Sequence, residues 1–294
     1  MTGDVHVIDL AFQGIEQVVA AFAVEADEGL VLVETGPHSS YERLEAGLGE
    51  LGFRVRDVAD ILLTHIHFDH AGAAWAIAAS AGATVHVHPR GAKHLIDPER
   101  LYASATRIYG EAAMRTLWGE MRGIPERQVR VWEDGHRDRL RGLDVRALHT
   151  PGHATHHIAW IVGGAVFLGD VGGVQIGQGP IEPPCPPPDI HLDDWRASIE
   201  RLRPLCRGRS AYLTHFGRVD QPLPHLTHLR ARIDAWETEA ERLLAGGEGA
   251  DAEAAFVRYV ERHRGAAANF YALANPAFMS WPGLVRWLRQ RDAG

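Results

Sequence analysis

The sequence predicts an α/β protein made of two α/β halves that face each other, and two observations carry the prediction. Strand-patterned segments alternate with segments of helical periodicity, with no low-complexity linker between them. Residues 1–125 and 126–220 also share one layout of strands, a histidine-rich turn and then a helix. No repeat at a fixed period of roughly 20–50 residues accompanies it, so the likeness is one of layout.

Val18–Val24 and Leu30–Val33 are apolar or β-branched runs around Asp27-Glu28-Gly29, which predicts a hairpin. Tyr41–Leu51 places Leu44, Leu48 and Leu51 at helical spacing and is closed by Gly52. Ala59–Leu63 is a short buried strand leading into Thr-His-Ile-His-Phe-Asp-His-Ala-Gly, Ala71–Ala81 an alanine-rich helix, and Thr84–His88 a strand stopped by Pro89. From Asp97 to Arg122 the chain reads as mostly helical, with an apolar stripe of Leu101, Ile108, Met114, Leu117, Trp118 and Met121. That stripe fits a helix pair packed on the core, and it also fits a cap over a pocket. Strands resume at Gln128–Trp132 and Leu143–His149, and Ile158–Val162 pairs with Ala165–Leu168 around Gly163-Gly164. A proline-rich loop precedes a helix over Asp194–Leu205, and Ala211–Leu213 is the last strand. Beyond Pro224 the pattern is helical to the end, interrupted at residues 246–251 and around 274–283. The expected division is a catalytic domain over 1–222, with 97–122 as a helical cap insertion, and a helical C-terminal extension over 223–294 packed on it.

Composition narrows the class. The 294 residues fit one large or two modest domains at about 150 residues each. The 46% hydrophobic content excludes a disordered, collagen-like or coiled-coil chain. A net charge of −8 argues against a partner that is nucleic acid. No basic-then-apolar leader and no run of about 18 apolar residues is present, and the two cysteines suit a reducing compartment. The expectation is therefore a cytoplasmic protein with a small-molecule substrate, without membrane or nucleic-acid partners, and with room for a homodimer. The 18 histidines are an excess that first suggests metal.

The strongest signal is His65-Ile66-His67-Phe68-Asp69-His70 directly after a buried strand. Histidines two apart in extended chain point the same way, so His65 and His67 can grip one ion. Asp69 and His70 follow a turn and can face a second. With 18 His and 18 Asp in the chain, chance supplies roughly 0.004 such patterns. His153, Asp170 and His215 each end an apolar run. Alone each is an ordinary turn residue; together they are strand ends that can converge on the first cluster.

These residues, in this order, resemble the metallo-β-lactamase-fold superfamily. His65, His67, Asp69 and His70 match its first motif, His153 its second, Asp170 its third and His215 its fourth, over roughly residues 5–220, with Glu34-Thr35-Gly36 where the family often has Asp-Thr-Gly. The resemblance implies a four-layer αβ/βα sandwich with metals at one edge of two facing sheets. It implies that His65, His67 and His153 hold a first ion, that Asp69, His70 and His215 hold a second, and that Asp170 bridges both. The implied cofactors are two divalent ions, zinc first, with iron or manganese also suited to imidazole and carboxylate donors.

The implied chemistry is hydrolysis of an ester, thioester or lactone by a metal-bridging hydroxide, with Asp69 and His70 among the catalytic residues. Asp170 stands where the main class of true β-lactamases carries a cysteine ligand, so an antibiotic role is unsupported. Gly177-Gln178-Gly179-Pro180 replaces the Gly-Cys-Gly-Arg stretch usual in glyoxalase II and the persulfide dioxygenases, which weighs against both. A lactonase-like hydrolase with an apolar pocket remains. Tyr102, Tyr109, Trp195 and Tyr271 are expected to line that pocket, and His157 to orient a ligand. The alternatives are a mononuclear-iron dioxygenase of the persulfide dioxygenase type and a non-catalytic metal-binding relative.

Overall fold

A computed structural model of the chain describes residues 3–247 and 249–293. The first half holds β1 (Val5–Asp9), β2 (Ala20–Glu25), β3 (Leu30–Val33), α1 (Tyr41–Glu50), β4 (Val58–Leu62), α2 (Phe68–Ala71), α3 (Ala74–Ala81), β5 (Thr84–Val87), α4 (Pro89–Ile96), α5 (Glu99–Tyr109), α6 (Glu111–Ala113) and β6 (Val129–Val131). The second half holds β7 (Arg137–Leu140), β8 (Leu143–His149), β9 (Ile158–Val162), β10 (Ala165–Phe167), α7 (Leu192–Leu202), β11 (Ser210–Leu213) and β12 (Gly217–Val219). The helices α8 (Pro222–Ala245), α9 (Ala250–Arg264), α10 (Ala268–Ala274) and α11 (Ala277–Ala293) follow.

The strands form two six-stranded sheets, ordered β1-β2-β3-β4-β5-β6 and β12-β11-β10-β9-β8-β7. Period-two alternation builds the layers. Leu30 and Leu32 of β3 face a core shared with α1 and α3, while Val31 and Val33 face a core shared with the other sheet. In β9, Ile158, Trp160 and Val162 meet the first sheet, and Ala159 and Ile161 meet α7 and α8. Both faces of these strands are buried, which is why their sequences read as continuous apolar runs. Each buried Val, Leu, Ile or Phe side chain contributes about 1.5–3 kcal/mol, so the three apolar layers, not the hydrogen-bond ladders, dominate cohesion. The result is the expected αβ/βα sandwich, with the C-terminal helices adding Trp236, Phe256, Leu284 and Trp287 to the outer core of the second sheet.

The predicted elements from β2 to β11 form close to their expected bounds, with differences where the pattern is short or polar. β1, β7 and β12 lie at or beside sheet edges; β7 (Arg-Asp-Arg-Leu) is polar and β12 only three residues long, so neither shows an apolar run. Pro89 opens α4 instead of only ending β5, because a proline at the first helical position loses nothing there and His88 Nδ1 accepts from the Arg90 amide at 3.0 Å. The 97–122 segment is helical only to Trp118, with a break at Gly110. No helix among the described residues is long and apolar enough to cross a membrane.

Candidate metal centre

Five chain segments deliver seven side chains to one end of the two sheets. His65 and His67 leave the end of β4, and Asp69 and His70 follow in the single turn of α2. His153 lies in the loop after β8, Asp170 in the 3₁₀ turn after β10, and His215 between β11 and β12. Two glycines permit the close packing behind them. A Cβ at Gly152 (φ 144°) would sit 2.4 Å from Trp195 Cα, and one at Gly169 (φ 52°) 2.6 Å from His157 Nε2.

The inner nitrogens of the rings face one another. His65 Nε2 lies 2.9 Å from His67 Nδ1, which lies 3.1 Å from His153 Nε2. Asp170 spans the two groups: Oδ2 is 3.4 Å from His153 Nε2, and Oδ1 is 3.3 Å from His70 Nε2 and 3.6 Å from His215 Nε2. Asp69 Oδ2 is 3.4 Å from His215 Nε2. Three compact donor groups result: His65, His67 and His153; His65, His70 and Asp170; and Asp69, His70 and His215, each with its donor atoms within 4.8 Å of one another.

Outer hydrogen bonds fix which nitrogen points inward. His153 Nδ1–H donates to Pro184 O at 2.8 Å, and His215 Nδ1–H to Val18 O at 2.7 Å. His70 Nδ1–H donates to Glu34 Oε1 at 3.0 Å. Thr64 Oγ1 donates to Glu34, and so accepts from His65 Nδ1–H at 3.0 Å. Each of these four rings therefore turns its Nε2 inward.

The donor set passes a direct test of fit to metal ions. His70 Nε2, His215 Nε2 and Asp170 Oδ1 are buried and find no hydrogen-bond partner among the described residues, although all three converge on one spot. A buried polar atom left unpaired costs about 1–3 kcal/mol, and three at one point need a shared partner. Nitrogens bound about 2.0–2.1 Å from a tetrahedral ion stand roughly 3.3 Å apart, close to the spacings in the first group.

Electrostatics divide the cluster. Burial, reinforced by neighbouring histidines, holds His65 well below the usual imidazole range; burial likewise lowers His153, and takes His67 down to about 4. These three are neutral donors at pH 7. Burial also opposes charge on His70 and His215, but Asp170, helped by Asp69 at both and by Glu34 at His70, outweighs it and raises both. Burial would raise the two carboxyls, yet the facing histidines depress Asp170 well below its usual range and Asp69 to about 2.

A cavity of about 390 Å³ opens above the cluster, with His67, Asp69, His153 and Asp170 in its lining. Of the aromatic residues expected in its wall, only Tyr109 lines it. The other three are corrections. Tyr102 turns away because its hydroxyl donates to Gly119 O at 3.2 Å, and its ring packs edge-on behind Phe68. Trp195 is fully buried, its indole N–H held by Val171 O at 2.9 Å. Tyr271 is fully buried, its hydroxyl donating to Pro180 O and accepting from the Ile176 amide. Trp118, from the stripe that also fits a cap, lines the wall together with Phe12, Pro184, Phe278 and Met279. His157 packs 5.3 Å from the His65 ring, and it pairs with Thr150 Oγ1 and the Val171 amide, not with a donor of the cluster.

Glu34 is the functional residue that sequence reasoning left without a role. Its signal was present, as the acidic residue of Glu34-Thr35-Gly36 directly after a strand.

The family model of the metallo-beta-lactamase superfamily matches residues 14–213. The metallo-beta-lactamase fold-containing protein ST1585 of Sulfurisphaera tokodaii is 28% identical over 196 residues, covering 64% of this chain and 72% of that protein. The crystal structure of ST1585 superposes with a TM-score of 0.66 at 21% identity, covering 97% of this chain and 99% of the other. The metallo-beta-lactamase family protein TTHA1429 from Thermus thermophilus gives a TM-score of 0.67 at 23% identity, covering 98% and 94%. These two structural likenesses speak to the fold alone. An atrochrysone carboxyl ACP thioesterase of Cryptosporiopsis sp. is 26% identical over 204 residues, covering 65% of this chain and half (50%) of the thioesterase.

Proposed function

The chain belongs to the metallo-beta-lactamase superfamily, whose members are generally hydrolases, and from that premise we propose that it is a metal-dependent hydrolase of ester-type bonds: esters, thioesters or lactones. The observation that carries the proposal is the convergence of His70 Nε2, His215 Nε2 and Asp170 Oδ1, buried and unpaired among the described residues, beneath a cavity of small-molecule size. In this reading His65, His67 and His153 hold one divalent ion, Asp69, His70 and His215 hold a second, and Asp170 serves both. Zinc is the first choice, with iron and manganese suited to the same donors. When bound, such ions supply a water-derived nucleophile near neutral pH and polarise a carbonyl oxygen.

The chain's own groups do the rest. Asp69, ionised at neutral pH and partly open to the cavity, accepts a hydrogen bond from water there and orients it. Burial, reinforced by the charge of Asp69, pushes the Tyr109 hydroxyl up to about 12, so it stays a neutral donor beside the reacting carbonyl. Segment 97–122 acts as the cap, and 223–294 as an extension that braces the opposite wall. The thioesterase relative supports ester-type chemistry, as does the likeness to a family of hydrolases.

Elemental analysis of protein purified without added metal, followed by an ester, thioester and lactone panel, tests the proposal. We expect two divalent ions per chain and turnover of at least one substrate class. His67→Ala should lower activity by more than about a hundredfold, beyond the ~10–100-fold typical for an outer hydrogen-bond partner. One iron per chain with oxygen consumption, or activity that survives His67→Ala, overturns it.

A further inference from the structure

The trough above the donor cluster carries more than its size. Its charged groups are His67, Asp69, His153 and Asp170, all members of the cluster; no lysine or arginine among the described residues lines it. The wall beyond them is mainly apolar, with Ser104, Tyr109 and Asn275 as its uncharged polar members. Phe12, Phe68 and Trp118 are nearly or fully buried, at 1%, 7% and 8% exposure, whereas Ile108 on α5 and Phe278 on α11 are 54% and 53% exposed. A lone exposed apolar side chain needs no explanation. Two that line one cavity, contributed by different helices and continuous with a buried aromatic floor, make a greasy mouth with no basic side chain among the described residues to meet an anion.

Resting on the ester-type reading above, we infer that the substrate carries a long, uncharged hydrocarbon arm that lies in this trough between α5 and α11, with the scissile carbonyl at the donor cluster. A carboxylate or phosphate on that arm would lose its water along the apolar wall without gaining a lysine or arginine partner there. The arm can be the acyl chain or the alcohol or thiol side of the bond, since both present the same surface to the wall. Each buried methylene is worth up to about fourfold in affinity until the chain passes the mouth.

Calorimetric titration with octanamide and acetamide, which mimic the substrate but resist the reaction, reads the trough without turnover. Octanamide should bind at least about fiftyfold more tightly than acetamide. Ile108→Asp and Phe278→Asp, both at exposed positions, should each weaken octanamide about tenfold at unchanged melting temperature, and Ile108→Leu should bind like the parent. In parallel, the metal-loaded protein is given methyl acetate, methyl pentanoate, methyl octanoate, octyl acetate and monomethyl succinate. Preference for methyl octanoate places the arm on the acyl side, and preference for octyl acetate on the alcohol side; monomethyl succinate should lag methyl pentanoate about a hundredfold. Octanamide binding no tighter than acetamide, or equal turnover of the succinate and pentanoate esters, overturns the inference. Tight octanamide binding with no hydrolysis of any ester, thioester or lactone supports the trough and overturns the hydrolase reading. Hydrolysis without chain-length dependence does the reverse.

Discussion

Glu34 occupies left-handed backbone (φ 62°), and its carboxylate is fully buried. Such a conformation is uncommon for a residue with a side chain. It is held by four donors: His70 Nδ1 at 3.0 Å, the Thr64 hydroxyl, the Thr64 amide at 3.4 Å and the Thr214 hydroxyl at 3.3 Å. One carboxylate thereby sets the ring orientation of His70 directly and that of His65 through Thr64. Replacing it with the neutral amide in Glu34→Gln keeps the volume but turns one acceptor into a donor facing donors. The expected outcome is a loss of metal affinity of about 10–100-fold, read by competition with a chelator, with the fold retained by circular dichroism. Unchanged affinity would remove Glu34 from any positioning role. The residues of the cluster itself were legible, because two-apart histidines at a strand end have few other uses. Glu34 was not, because its role depends on Thr64 and Thr214, which only folding brings to it.

Strands are tied to one another by more than their ladders. Asp60 on β4 accepts from His86 Nε2 on β5 at 2.7 Å and from Arg141 Nε, in the β7–β8 turn of the other sheet, at 2.9 Å. Trp132 Nε1, just past β6, donates to His86 Nδ1 at 2.8 Å, so the proton of His86 sits on Nε2. Burial pushes the Asp60 pKa up, but these hydrogen bonds and charges outweigh it, and the net shift is downward. A carboxyl depressed in the folded state adds stability that is complete above its unfolded pKa of about 3.9 and is lost as pH falls through the lower folded value. Asp60→Asn should therefore cost about 1–3 kcal/mol in urea unfolding at pH 7, with the deficit shrinking as pH drops below about 4. A deficit independent of pH would show that shape, not charge, matters at this position. Central strands were readable from their apolar runs, whereas this bridge between sheets was not. His86 and Arg141 are unremarkable in sequence, and their pairing is a product of register and sheet stacking.

At the scale of the molecule, the C-terminal helices grip the loop that finishes the site. Arg264 at the end of α9 meets Glu182 at 2.7 Å, and both are almost fully buried. Arg264 also donates to Asn275 O at 2.6 Å, and Asn275 Nδ2 to Glu182 at 3.1 Å. Ser280 Oγ accepts from the Cys185 amide at 3.2 Å, next to Pro184, whose carbonyl orients His153. Removing one member of a buried ion pair strands the other charge, at a cost of about 3–5 kcal/mol. Arg264→Met should show that loss in thermal or urea unfolding, and the double variant Arg264→Met with Glu182→Met should recover much of it. A double variant as unstable as the sum of the singles would mean that the pair acts independently of its charges.

The sequence by itself determined the α/β class, the family, the order of the central elements and the seven residues that converge at one end of the sheets, because period-two apolar patterning and a dense local histidine motif are written along the chain. Only the tertiary structure decided which aromatic residues reach the cavity. Tyr102, Trp195 and Tyr271 have the composition of pocket residues, yet their hydroxyl or indole groups are claimed by the carbonyls of Gly119, Val171 and Pro180. Ile108 and Phe278, far apart in the chain, become the cavity mouth. Local pattern records what a side chain can do; the partner that satisfies its polar atoms, and so the direction it points, comes from segments that meet only when the two sheets close.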